Sequence, residues 1–429
     1  MEPVTQINSG DTAWMIVATA LVLLMTPALG LFYAGFVRSK NTLNTFMMSV
    51  GALAVVTVAW ALVGYSLAFS DGNGFVGGFD HVFLNGVDFA PRPAMTIPHL
   101  LYFAYQATFC ILTSALVSGA VVERMRFGAF LLFMVLWSIF VYAVLAHWVW
   151  GGGWLQDRGT LDFAGGVPVE MASGFSAFAA AIVVGARKDF GRQAILPHNA
   201  VYVLVGAGLL WFGWFGFNGG SGFSVGNAGI LAVANTLLAP ACTLAVWFVL
   251  DLARDRKVTA VGAATAIVVG CVGITPAAGF ISPAWAMVLG ALAAIPSYLI
   301  IVWRPRTRLD ETLDVLAAHG VAGLTGILFI GFFANESWNG VSDGLVYGNA
   351  GQLADQAMAV LAAPAYAFGV TYVLLRLVAL LMPLRVTERQ EAIGLDVVEH
   401  GEEAYATGEG AILLTTEAEI KPPVAVAQP

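Results

Sequence analysis

The stretch FGAFLLFMVLWSIFVYAVLAHWVW (127–150) runs for 24 residues without Asp, Glu, Lys or Arg. A helix that crosses the hydrocarbon core of a bilayer needs about 20 mostly apolar residues. This segment meets that requirement alone, and the chain repeats it. Ten further candidate spans lie near 13–36, 42–70, 98–121, 163–186, 197–217, 226–252, 259–278, 283–303, 313–335 and 355–383. The composition agrees. Of 429 residues, 59% are apolar and only 11% charged, with a mean hydropathy of +0.81. A soluble protein carries about 25% charged residues to coat its surface. Soluble enzymes, nucleic-acid binders and disordered proteins are therefore excluded. The reading is an all-α polytopic membrane bundle of eleven transmembrane helices.

Lys and Arg set the orientation, because they collect on the cytoplasmic side. The loops after spans one, three, five, seven and nine carry Arg38 and Lys40; Arg124 and Arg126; Arg187, Lys188 and Arg192; Arg254, Arg256 and Lys257; and Arg304, Arg306 and Arg308. With Arg385, Arg389 and Lys421, one face holds 16 of the 19 basic residues. The other has Arg92 and Arg158, and Arg376 lies within the last span, where it could snorkel. The N-terminus is expected outside and the C-terminus in the cytoplasm, in a cell (inner) membrane. The first span follows Met1 to Asp11, which contain no Lys or Arg. Lacking the basic start of a signal peptide, it reads as a retained helix.

Forty-eight glycines suit close helix packing in lipid. Ten spans divide into two halves of five, and an odd number per half gives inverted topology. Residues 1–383 form the expected transmembrane transport domain, and 384–429 an acidic cytoplasmic tail. That tail contains EAIGLDVVEHGEEAY (391–405), a short cytoplasmic element, and a Lys-Pro-Pro end expected to be disordered. The net charge of −8 reflects acid in the tail and outer loops. Cys110, Cys242 and Cys271 lie far apart in apolar runs and read as small core residues, without metal spacing or a disulfide framework.

Charge inside a span is costly and marks a functional path. In HWVWGGGWLQDRGTLDFAGGVPVEMASGFS (147–176), Asp162 precedes a flexible Phe-Ala-Gly-Gly opening and fits a helix N-cap. Glu170, eight residues on, falls more than a turn into the fifth span. It either pairs with a nearby helix end or faces a polar path. In DETLDVLAAHGVAGLTGILFIGFFAN (310–335), Asp314 starts the tenth span and His319 follows beside Gly320. A lone buried His is often a satisfied core residue, but a titratable group at the matching place in the other half favours function. Gly320 and Gly323 let another helix approach the imidazole closely.

Aromatics crowd the same regions: Trp148, Trp150 and Trp154 at the outer end of span four, Tyr105 and Phe109 in span three, and WFGWFGFNGGSG (211–222) at the end of span six. Interfacial belts account for many such residues. A π-face also holds a small cation, and aromatics converging with a Ser hydroxyl would form a vestibule for a small hydrogen-bonding cation.

Taken in order, GLFYAGFVRSKN (30–41), YQATF, VERMRF, HWVWGGGW, DFAGG, WFGWFGFNGGS, DVLAAHG and GLDVVEHGEEAY (394–405) resemble the Amt/Mep/Rh ammonium transporter family, most closely its bacterial Amt branch. The resemblance implies an eleven-helix bundle with a pseudo-twofold repeat, assembled as a homotrimer with one pore per subunit. It places Trp150 and Ser221, with Tyr105, at an outer ammonium-recruitment site, and Phe109 and Phe217 as stacked gating rings below it. Asp162 matches an acid that orders that site from behind, and His319 the second of two pore histidines. The first is missing. Its position is Glu170, with Pro168 also unusual nearby, and some fungal members carry Glu there. The twin-histidine relay is thus altered in this chain.

The expected activity is ammonium transport. Ammonium is recruited outside, deprotonated, and crosses an apolar pore as ammonia. The proton moves separately through Glu170 and His319, giving net electrogenic uptake. Two other readings stay open: an ammonium sensor signalling through a cytoplasmic partner, and an Rh-like ammonia gas channel. A membrane enzyme is disfavoured, since no nucleophile, metal cluster or phosphate-binding Gly loop accompanies the acid–imidazole pair. No cofactor or metal is expected. The tail resembles the element that contacts a neighbouring subunit and, in many bacteria, a PII-type signal protein.

Overall fold

The structure, a computed structural model, describes residues 6–405. The tail end at Lys421 and the two prolines after it lies outside the described residues. Eleven described helices are long and apolar enough to cross a membrane: α1 (Ser9–Phe36), α2 (Ser39–Phe69), α3 (His99–Ala120), α4 (Phe127–Asp157), α5 (Gly166–Val184), α6 (Ala200–Gly220), α7 (Asn227–Asp255), α8 (Ala260–Ala277), α9 (Pro283–Arg306), α10 (Leu316–Phe333) and α11 (Ala350–Leu381). Every expected span is present. α5 and α10 begin three residues later than their hydropathy suggests, because the residues that follow the capping acids Asp162 and Glu311 form loop and turn. α4 continues beyond Trp150 through a bend at Gly151–Gly153. His147 braces that bend, its ring nitrogens 3.0 Å from the Ala68 carbonyl and 2.8 Å from that of Asn73.

The packing pattern reproduces the two halves. α1 packs on α2 and α3, α2 on α3 and α4, and α3 on α5. Likewise α6 packs on α7 and α8, α7 on α8 and α9, and α8 on α10. The halves meet along α1–α6 and α5–α10, and α11 lies across α5 and α10. With five spans in each half, the second is inverted relative to the first. The α5–α10 crossing is closed by glycine. A Cβ on Gly174 would lie 2.2 Å from the Gly320 amide nitrogen, and one on Gly323 would lie 2.6 Å from Glu170 Cβ. Side chains there would force the two helices apart.

On the basic face, the interhelical loops are joined by buried ions. Glu123 accepts hydrogen bonds from Arg38 Nε (2.9 Å), Arg187 Nη1 (2.6 Å) and Asn41 Nδ2 (2.9 Å). Arg187 also makes paired contacts with Asp310, at 2.9 and 2.8 Å. Burial pushes Glu123 upward, but the Arg187 and Arg38 guanidiniums outweigh it and hold the carboxyl below its usual range. Asp310 is held low in the same way, by Arg187 and Arg124 against burial.

The segment after α11 packs against this face. Leu395 and Asp396 are buried. Asp396 accepts from the amides of Leu43 and Asn44 at the start of α2, and Glu399 from the amide of Phe127 at the start of α4. Both helix N-termini are thus capped by carboxylates from the far end of the chain, where negative charge also suits the helix dipole. Residues 384–405 are in this respect a docked element rather than a solvated acidic strand.

Candidate functional site

The face opposite the basic one opens into a vestibule of about 410 Å³. Trp150, Phe109, Ser221 and Asp162 line it. Of the three tryptophans near the end of α4, Trp150 turns inward. Trp148 and Trp154 pack against each other at 5.4 Å and against Phe75, in keeping with an interfacial belt. Trp150 is fixed by its indole N–H, which donates to the Asp162 backbone carbonyl at 2.9 Å. The Asp162 carboxylate in turn accepts from the amides of Gly165, Gly166 and Val167 at 2.7–2.9 Å. One residue therefore caps α5 with its side chain and anchors Trp150 with its backbone. Gly165 between them adopts φ +119°, and a Cβ there would lie 3.2 Å from the Trp150 ring. Glycine is the residue that permits this turn.

Ser221 follows α6. Its hydroxyl donates to the Phe217 carbonyl at 2.8 Å, leaving oxygen lone pairs for a donor in the vestibule. Tyr105 is fully buried and sits behind Ser221, not among the residues lining the cavity. Its hydroxyl lies 3.3 Å from Ser221 Oγ and within 2.9 Å of the Gly216 and Phe217 carbonyls. Tyr105, expected at the recruitment site beside Trp150 and Ser221, makes contacts that support Ser221. Gln106 was not singled out in the sequence, yet it lines the vestibule with a buried Oε1 that has no hydrogen-bond partner among the described residues. Its position beside Tyr105 in the YQATF motif was the available signal.

Phe109 lines the vestibule and Phe217 stacks against it, with ring centroids 4.0 Å apart and planes 25° apart. Trp150 meets Phe109 edge-on at 6.2 Å. Beyond them lies an apolar cavity of about 10 Å³, lined by side chains such as Leu112, Leu116 and Val268, with Glu170 and His319 as its ionisable groups. That volume is close to one water-sized molecule. His319 also lines a second vestibule of about 220 Å³ opening on the basic face, with Phe32, Tyr33 and Asp314.

Glu170 and His319 meet at the α5–α10 crossing. His319 Nδ1 lies 2.7 Å from Glu170 Oε2, and both side chains are at most 5% exposed. Glu170 Oε1 is buried and has no partner among the described residues. Each residue lies in a π-helical turn that opens its helix, Gly166–Met171 or Leu316–Val321. Such turns are uncommon and favour functional positions.

Two acids stand at the head of α10. Asp314 stands at the start of the helix, its carbonyl accepting from the Ala318 amide at 2.9 Å, but it adopts φ +57° and its side chain pairs with Arg304. Glu311 is the cap, accepting from the Val315 and Leu316 amides at 2.7 and 3.2 Å. His319 then stands eight residues after Glu311, as Glu170 stands eight after Asp162. Both helices that meet at the pair are built to one plan.

An inverted eleven-span bundle with an aromatic vestibule, a ring-closed floor and a buried acid–imidazole pair defines a class of membrane protein that conducts a very small solute. The profile of the Ammonium Transporter Family matches residues 13–405. The chain is 45% identical to the ammonium transporter of Bacillus subtilis, over 92% of this chain and 98% of that one. It is 41% identical to ammonium transporter Amt1 of Archaeoglobus fulgidus, over 93% and 100%. Among solved structures, Candida albicans Mep2 superposes with a TM-score of 0.85 at 33% identity, covering 90% of this chain and 88% of that one. A structure described as a sensor Amt protein superposes with a TM-score of 0.84 at 28% identity, over 91% and 98%. The chain belongs to the Ammonium Transporter Family.

Proposed function

We propose that this protein takes up ammonium, with the N-terminus outside and the basic face cytoplasmic. Residues 1–383 form the transport domain and 384–429 the C-terminal segment. The Trp150 vestibule is then the outer one. Ammonium is recruited there by the π-face of Trp150 and the Ser221 hydroxyl, with Tyr105 holding Ser221 in place. Phe109 and Phe217 exclude bulk water below it. Taking an intact ion into a narrow apolar passage costs several kcal/mol even after relaxation, on the order of the penalty for any buried charge. Ammonium avoids this by giving up a proton, which potassium cannot do. Asp162 supports the step by fixing both Trp150 and α5.

Neutral ammonia then enters the small apolar cavity, and the proton travels separately through the coupled Glu170–His319 pair. The observation that carries this reading is the pair itself: hydrogen-bonded at 2.7 Å across the interface of the halves, with Glu170 Oε1 unpartnered at a cavity sized for one small molecule. The net result is electrogenic uptake by a homotrimer with one pore per subunit. The test is current in reconstituted membranes under an inward ammonium gradient, with potassium as the control. Currents unaltered in both Glu170→Ala and His319→Ala defeat the relay. Ammonia flux without current supports a gas channel instead.

A second reading, an ammonium sensor, is favoured by the docked segment 384–405 and by the likeness to a sensor Amt protein. In that case the segment would report pore occupancy to a cytoplasmic partner of the PII type.

A further inference from the structure

Arg92 enters the outer vestibule from the loop before α3, and the transport reading assigns it no role. It is half-buried and lines the same cavity as Trp150, Phe109 and Ser221. Its guanidinium carbon stands 4.0 Å from the centroid of the Tyr102 ring and 5.3 Å from that of Phe69. The Tyr102 ring lies 5.1 Å from Phe223, and Phe223 lies 5.7 Å from Tyr105, the residue behind Ser221. Arg92 therefore occupies one end of an aromatic surface whose other end is the recruitment site.

The placement is fixed rather than incidental. Pro91 and Pro93 flank Arg92 and restrict the backbone. Its amide donates to the Ile97 carbonyl at 3.3 Å, and its carbonyl accepts from the Met95 amide at 3.0 Å. Among the described residues it pairs with no carboxylate; its polar side-chain contact is Met95 Sδ, 3.9 Å from Nη1. The other arginine on this face, Arg158, is paired with Asp355 at 3.2 Å. Asp162 lines the cavity too, but its carboxylate is engaged by three amides. The vestibule thus holds a guanidinium paired with no carboxylate among the described residues, seated on a π-face of the kind that attracts cations.

We propose that Arg92 is a built-in competitor of the transported cation. It covers the Tyr102 ring face and raises the potential of the vestibule, so that more ammonium is needed to half-fill the site. This rests on the reading of the vestibule as the recruitment site, and the experiment separates the two.

Ammonium-evoked currents are measured in proteoliposomes of the full chain at ionic strengths of about 10 and about 150 mM, set with N-methylglucamine chloride. The Debye length falls from about 30 Å to about 8 Å between these conditions. Arg92→Gln lowers the half-saturating ammonium concentration about three- to tenfold at low ionic strength, the size expected of one charge acting within a half-wet cavity. The difference from wild type shrinks to within about twofold at the higher salt. Arg92→Lys keeps the charge and stays near wild type. Arg92→Met, a second neutral variant, matches Arg92→Gln. An unchanged half-saturation in both neutral variants at low salt overturns the proposal, as does a lysine variant that behaves like them. Trp150→Ala is the companion measurement. If it raises half-saturation while the Arg92 variants do nothing, Arg92 alone is excluded. If Trp150→Ala also leaves half-saturation unchanged, the recruitment reading itself fails.

Discussion

His319 Nδ1 lies 2.7 Å from Glu170 Oε2, at the point where the two inverted halves of the molecule cross. Each half supplies one member, an acid from α5 and an imidazole from α10. Glu170 Oε2 is the oxygen that meets the imidazole, while Oε1 has no partner among the described residues, and both residues line the small cavity. Glu170→Gln keeps the shape and removes the acid; it is expected to reduce ammonium-driven current by at least about tenfold, in the range of proton-transfer effects. Glu170→His is expected to retain current with a displaced pH profile. Current recordings across a pH series check both, and matching profiles for wild type and Glu170→His would count against the pair as the proton carrier.

Asp162→Ala should weaken two things together. Three amides at the head of α5 lose their acceptor. Removing a helix cap of this kind costs about 0.5–2 kcal/mol. Transport should fall by more than the stability loss explains, because the turn that holds Trp150 relaxes. Thermal unfolding and current on the same preparation separate the two effects. Full current in a destabilised variant would reduce Asp162 to a cap.

Gly165→Ala tests the same turn from the other side. Alanine at φ +119° is strained, and its Cβ would crowd Val169 at 2.7 Å and the Trp150 ring at 3.2 Å. The expected outcome is a raised half-saturating concentration, since the displaced ring is in the vestibule. A wild-type half-saturation would show that the Trp150 position tolerates a shift.

The ion network on the basic face makes a pH prediction. Glu123 and Asp310 are held below their usual range by Arg187 and its neighbours in spite of burial. A depressed carboxyl stabilises the folded state above its unfolded pKa, roughly 4, and that contribution is lost as pH falls through the lower folded value. Unfolding temperature in detergent should therefore hold near neutral pH and drop steeply below about pH 4. Glu123→Gln takes one anionic partner from Arg187 and Arg38, which keep Asp310 and Asp189, and should cost about 1–3 kcal/mol. Its acid-induced drop should be shallower than that of wild type. Parallel pH curves for the two proteins would refute the assignment.

Much of this molecule was legible in the sequence because the bilayer leaves few choices. Long uncharged runs such as 127–150 have to be helices, and a carboxylate as deep as Glu170 or an imidazole such as His319 needs a partner. The parts that stayed hidden depend on where a side chain points. Asp314 and Glu311 are three residues apart in one acidic stretch, and only the backbone at Asp314, with φ +57°, hands the capping position to Glu311. Tyr105 carries the same aromatic signal whether it touches the cavity or stands behind Ser221. Arg92 looked like a stray charge in an outer loop, since its ring partners Tyr102 and Phe69 come from different spans. The docking of 384–405 is a matter of contacts more than 250 residues apart in the chain, which local pattern cannot display.

The carboxylates that cap α2 and α4 have a consequence for biogenesis. Asp396 reaches Asn44 across 352 positions of sequence. A ribosome adding about 5–20 residues per second takes roughly 20–70 s to travel that far. Throughout that interval the leading amides of α2 lack this acceptor, and those of α4 lack Glu399 for a shorter stretch of 272 positions. Latching of α2 and α4 therefore waits for a segment made after all eleven spans, and a ribosome that stalls before Asp396 would leave both helices unlatched.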